Sequence, residues 1–124
     1  MKDEPQYWVV GASWGGRDDQ APVFIKRGYW FLGYDDDKAP DQAARRDQIR
    51  TGDRIAIKKM MGQGASTVRV TAIGIVKDVD DDSRVYVDWI LTDLDRVVEG
   101  RGCFKSVHGP FEAADPWTRE VFQL

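Results

Sequence analysis

The chain has 124 residues, 42% hydrophobic and 31% charged, which suits one soluble globular domain and excludes a disordered tail. Its formal net charge of −3 counts against a nonspecific nucleic-acid binder, whose affinity rests on neutralising phosphates. No apolar run could span a bilayer, the charged start Met1 to Pro5 is no signal peptide, and the single cysteine excludes an internal disulfide, so a reducing, cytoplasmic setting is expected.

Tyr7 to Ala12 reads as a first strand, ending in the loop Ser13-Trp14-Gly15-Gly16-Arg17. Pro22 to Arg27 reads as a short helix, with proline near its first position and Gly28 as its stop. Tyr29 to Tyr34 is aromatic and held between Gly28 and Gly33, which predicts a loop. Pro40 to Arg50 is the clearest helix, with Ile49 and the alanines on its apolar side. A Gly52-Asp53 turn then opens a strand from Arg54 to Lys58, and a glycine-rich connection (Met61 to Ala65) leads to a long strand from Ser66 to Lys77. After the acidic turn Asp78 to Asp82, Arg84 to Leu91 alternates and puts Val85, Val87, Trp89 and Leu91 on one face. Asp95 to Gly109 reads as irregular, and Asp115-Pro116 caps a closing helical turn carrying Trp117, Val121 and Phe122.

Three consecutive strands joined by short turns predict an antiparallel sheet curled into a small barrel. The expected architecture is one α+β domain over residues 1–124, a barrel of five to six strands with two to three short flanking helices. Its surest contact is the hairpin between Ser66–Lys77 and Arg84–Leu91.

Charge is segregated along the chain. Acids fall in turns (Asp18-Asp19, Asp35 to Asp37, Asp78, Asp80 to Asp82), while bases gather at Lys26-Arg27, Arg45-Arg46, Arg50, Arg54 and Lys58-Lys59. A basic face on an acidic protein fits this pattern, and so do ordinary solvated charges.

Constellations for catalysis are missing. His108 is the sole histidine, so a histidine-rich metal site is excluded, and no Cys/His zinc spacing exists. A Cys103/His108 nucleophilic pair lacks an orienting partner. The glycines of Ser13-Trp14-Gly15-Gly16 and Met61-Gly62-Gln63-Gly64 match no phosphate loop, and Asp80 to Asp82 lacks the spaced ligands of a calcium loop. A binding domain without catalytic residues, metal or cofactor is the expectation.

Five tryptophans are distributed between core and candidate ligand roles. Trp8 lies within the first strand, Trp89 shares a face with Val85 and Val87, and Trp117 follows a helix cap, so all three read as core. Trp14 and Trp30 sit in or beside glycine-flanked loops, where an aromatic ring suits a mouth that closes on a planar group.

The segments YWVVGASWGG, GYWFLGY, GDRIAIKK, AIGIVKDV and V-x-VDW resemble, in order, the N-terminal domains of Mcr-type, modification-dependent restriction ATPases. Those are EVE-like members of the PUA superfamily, which also includes YTH domains. The resemblance runs from Tyr7 to about Phe122 and is densest at Ala12 to Gly16 and Gly52 to Lys58. It implies a reader that takes a modified base out of its strand into an aromatic cage at the barrel mouth. By position, Trp30 matches the cage tryptophan, Ser13 a polar base contact and Trp14 a second wall. Lys58 and Lys59, where the second strand emerges, would meet phosphates, with Arg54 as a further phosphate contact. The implied partner is modified DNA, and the implied effector is an ATPase or nuclease in cis or in trans. Two alternatives stand beside it. One is an RNA-directed EVE/YTH-type reader, distinguished by the 2′-OH. The other is a fold-mate that binds a small molecule or a protein.

Overall fold

A computed structural model describes residues 4–14, 18–33, 37–62 and 64–124; the side chains of Trp14 and Asp18 lie outside that description. Strand β1 (Tyr7–Gly11) leads into a short hairpin, β2 (Ser13–Trp14) with β3 (Asp18–Asp19), then helix α1 (Ala21–Arg27) and strand β4 (Tyr29–Trp30). Helix α2 (Pro40–Arg46) precedes three long strands, β5 (Arg54–Met60), β6 (Thr67–Val79) and β7 (Val85–Leu91). Strands β8 (Arg96–Glu99) and β9 (Val107–Phe111) and helix α3 (Pro116–Phe122) follow. Among the described residues no helix is long and apolar enough to cross a membrane.

The domain is α+β, with a curled, mostly antiparallel sheet of seven strands in the order β4-β7-β6-β5-β1-β9 and β8 set against β6. The 13 residues of β6 reach far enough to serve two neighbours in succession, β8 along Thr67–Val70 and β7 along Ile73–Val79. The β6–β7 hairpin thus forms where the alternation placed it. Gly74 lets these strands approach closely, since a Cβ there would lie 2.5 Å from Val87 Cγ1. The described sheet keeps β4 and β9 as edges and curls into a half-barrel, one strand richer than the expected five to six.

β1 and β5 run parallel, Tyr7 opposite Arg54 through Gly11 opposite Lys58. Both faces of this pair are buried, as parallel strands generally are. Trp8, Val10, Ile55 and Ile57 join Phe24 of α1 and Trp30 in one cluster. Tyr7, Val9 and Ala56 join Val68, Val70, Trp117, Val121 and Phe122 in the other, under α3.

A buried carboxylate ties the pair together. Asp53, 5% exposed, accepts from Gln6 N at 3.1 Å, Trp8 Nε1 at 2.9 Å and Arg50 N at 3.0 Å. It joins β1, β5 and the segment after α2 at one point, and Gly52 makes the turn before it at φ 95°.

Three expectations need correction. The helix expected over Pro40–Arg50 stops at Arg46, because Gln48 N and Ile49 N turn back to Arg45 O and Arg46 O at 3.0 and 3.1 Å, carrying Ile49 into the core. The segment expected to be irregular, Asp95–Gly109, contains β8 and begins β9. β9 tolerates Pro110 because it is an edge strand, where a missing N–H breaks no ladder. The aromatic loop expected over Tyr29–Tyr34 begins as β4, with Tyr29 opposite Tyr86 and Trp30 opposite Val85; Tyr34 lies outside the described residues. The closing helix forms as its cap predicts, with Asp115 accepting from Trp117 N at 3.0 Å.

Candidate functional site

The parallel strands β1 and β5 end side by side, and a cleft of about 690 Å³ opens beyond their carboxyl ends. That volume falls within the roughly 300–1,000 Å³ typical of small-ligand sites. Ser13 of β2, Gln42 of α2, Met60 of β5 and Phe104 from the segment before β9 line it. Lys38, Lys58, Lys59 and Lys105 also line it, and Asp41 is the one acidic side chain among the described lining residues. In a chain of net charge −3 this is a local inversion of sign.

Lys58 lies deepest. It is 5% exposed, and its Nζ has one hydrogen bond among the described residues, to Met60 Sδ at 3.5 Å. The opposite residue, Gly11, leaves room for it: Nζ lies 3.6 Å from where a Cβ on Gly11 would stand. Burial pushes the Lys58 amine down from its ordinary 10.5 to about 8, with the neighbouring Cys103 acting weakly the other way. The amine therefore keeps its charge at neutral pH in a poorly solvated place.

Phe104 is the exposed ring of the cleft. It is 43% exposed and belongs to no strand, while its ring edge packs against Gly100, where a Cβ would lie 2.8 Å from Phe104 Cζ. The segment that carries it is fastened by Lys105 N, which donates to His108 Nε2 at 2.9 Å. Burial, then the charge of Lys58, lowers His108 to about 4, so the ring is neutral and free to accept that bond.

A second, more open groove of about 800 Å³ runs along the other side of α2. It shares Asp41, Gln42 and Lys105 with the first and adds Arg45, Arg101 and His108. Arg45 donates to Gly109 O at 2.6 Å, and Gln42 Oε1 accepts from Val107 N at 2.6 Å, so α2 is fixed against β9 between the two grooves. Arg101, at the far end of this groove, is paired with Asp115 Oδ2 at 2.6 Å.

The sequence-predicted residues have different fates. Ser13, exposed, and Lys59 stand at the cleft mouth, where Lys59 forms a pair with Asp19 at 3.6 Å that both side chains share with solvent. Lys58 reaches the same cleft but from the floor, so the expectation of a surface phosphate contact is corrected: the parallel pair and the covering 100–106 segment bury it. Arg54 is not gathered at the cleft: it lies four residues back along β5, about 13 Å away, and donates to Gly52 O. Trp30 is the main correction. Its ring is 0% exposed, packed in the core cluster with Phe24 and Val85, and its Nε1 donates to Gly11 O at 2.9 Å. It supports the cleft from below and offers no open face. The side chain of Trp14 lies outside the described residues.

Sequence reasoning missed Phe104, Lys105, Lys38 and Gln42. Phe104 carried a usable signal, an aromatic just after Gly100 and Gly102. Chemistry of the nucleophilic kind is not assembled: Cys103 Sγ donates weakly to Arg101 O at 3.9 Å with its thiol pushed up by burial, and His108 Nε2 is taken by Lys105 N. Among the described residues no three His, Cys, Asp or Glu side chains gather to hold a metal ion. No protein-family model, curated protein or solved structure matches the chain.

Proposed function

We propose that this domain is a nucleic-acid reader that holds a modified base, taken out of its strand, in the cleft beyond β1 and β5. The observation that carries this reading is the lining: an exposed aromatic ring and four lysines around one cleft in an acidic chain. Extruding a base costs a few kcal/mol, and stacking on a ring such as Phe104 returns about 1–3 kcal/mol. Ser13 at the mouth offers a hydroxyl to the base edge. Lys38, Lys59 and Lys105 are placed for the flanking phosphates, and Arg45 and Arg101 continue that track along α2. The resemblance to EVE-like domains of restriction ATPases favours modified DNA as the partner. It also gives the domain the role of a specificity module in a restriction or defence system, with catalysis in an ATPase or nuclease in cis or in trans.

The test is a panel of DNA and RNA oligonucleotides, each bearing one modified base, measured at stated salt. Selective retention of one modified DNA supports the proposal. Affinity that depends on the 2′-OH transfers the reading to RNA. Silence across the panel, with a thermal-shift response to a free nucleoside or anion, replaces it with a small-molecule site.

A further inference from the structure

We propose that Lys58 selects the polar edge of the ligand, its ammonium receiving an oxygen acceptor from the group that enters the cleft. This rests on the reading of the cleft as the nucleic-acid site, and it assigns Lys58 a role different from phosphate contact at the surface.

An ammonium has three donors and no acceptor capacity. Here the residue as a whole is 5% exposed, and the one described partner of its amine is a thioether, a weak acceptor. Lysines that serve only the fold either extend their amine to water or meet a carboxylate. Lys58 does neither. The groups around it are Lys38, Lys59 and Lys105 along the cleft, Cys103 and His108 behind, and Asp41 across it; a smaller groove on its other side adds Asp93, Asp19 paired with Lys59, and Asp95 paired with Arg69, none of them within ion-pair distance of Lys58. Cys103 is held as a thiol and His108 as a neutral ring, so neither supplies an anion at neutral pH. The cleft side of this set is mainly cationic and leaves an acceptor to be brought by the ligand.

Two features make the position a built one. Gly11, opposite Lys58, contributes no side chain, and its carbonyl is fixed by the Trp30 indole at 2.9 Å. The bulge between Ile57 and Lys58, where Thr71 is the extra residue of β6, re-aims the strand at this point. The ligand class that follows is a base whose edge presents a carbonyl or carboxylate oxygen. A base whose edge offers an amino donor and only a ring-nitrogen acceptor, as adenine does, pairs the ammonium less well and is held more weakly. Phosphate oxygen shares this chemistry, so the experiment separates the two sources.

The test uses the whole chain with isotope-labelled lysine, titrated with inorganic phosphate and with single-stranded oligonucleotides. Their central base is thymine or 5-carboxylcytosine in one set, adenine or N6-methyladenine in the other. The Lys58 side-chain resonance should move at saturation, and its midpoint should rise from about 8. The oxygen-edged set should bind about tenfold or more tightly than the amino-edged set, and Lys58→Met should abolish that preference. Lys105→Ala should weaken both sets alike. Equal effects of phosphate and every oligonucleotide, with no dependence on the central base, place the oxygen on the backbone and overturn the base-edge assignment. A Lys58 resonance unmoved by any ligand, or a Lys58→Met variant with its preference intact, overturns the proposal altogether. Should phosphate move Lys58 while no oligonucleotide binds, the acceptor contact stands and the nucleic-acid reading fails. The resonance of the unmutated protein gives this answer even where Lys58→Met folds poorly.

Discussion

Two segments look alike in sequence and end in opposite places. Gly28-Tyr29-Trp30-Phe31-Leu32-Gly33 and Gly100-Arg101-Gly102-Cys103-Phe104 each set an aromatic beside paired glycines. The first is recruited by β7: two ladder residues draw the Trp30 ring into the core and its N–H onto Gly11 O. The second has no strand partner at Phe104, so the ring rests on Gly100 and keeps one side open. Glycines mark where a backbone can bend. Whether an aromatic there is buried or exposed depends on a hydrogen-bonding neighbour elsewhere in the chain.

Substitutions should separate the two segments. Trp30→Ala should cost about 3–5 kcal/mol of stability as a buried aromatic truncation, read by chemical denaturation. Retention of wild-type stability would return Trp30 to the cleft wall. Phe104→Ala should leave the denaturation midpoint near wild type and weaken oligonucleotide binding by about 1–3 kcal/mol. An equal loss of stability at both sites would erase the distinction.

Trp30→Phe is a finer probe, because it keeps most of the apolar volume and removes only the N–H. Leaving the Gly11 carbonyl without that donor should cost about 1–2 kcal/mol and loosen the floor beneath Lys58. Unchanged stability would show that water or another donor replaces the indole.

The smallest effect concerns acid. His108 has its folded value lowered to about 4 from an ordinary 6.5, so the folded state binds fewer protons between those values. Its contribution to stability is present above pH 6.5 and is lost as pH falls toward 4. Protonation also removes the acceptor for Lys105 N, beside Phe104. Amide exchange at Lys105 should therefore accelerate on acidification, relative to the intrinsic rate, while the Trp30 indole N–H stays protected. Parallel behaviour of the two protons would mean that the segments open together.

The same contrast explains what could be read from sequence. The β5–β6–β7 meander and the closing helix were legible because alternation and the Asp115 cap are local signals. β4, β8 and β9 were not, since they are short and owe their extension to partners distant in the chain. Ser13, Lys58 and Lys59 were placed at one mouth by the family resemblance, and all three line the cleft. The depth of Lys58 could not be seen, because alternation alone puts it outward; only the parallel neighbour β1 and the segment before β9 cover it. Arg54 shared its strand and its charge, but strand length carries it out of reach.

The Asp53 knot has a consequence for how the molecule is made. Its carboxylate reaches across 47 and 45 residues to Gln6 and Trp8, and β1 pairs on its other side with β9, near the far end of the chain. β1 is thus flanked by two strands that come much later in the chain. Contacts of such sequence separation form slowly, after the local β6–β7 hairpin. In a nascent chain β1 stays unpaired until Asp53 and β5 emerge, and its other side stays an open edge, exposed to wrong partners, through completion of the meander until β9 follows. The cleft at the tip of β1 comes last, because Phe104, Lys105 and Ser106 close it only when β9 docks.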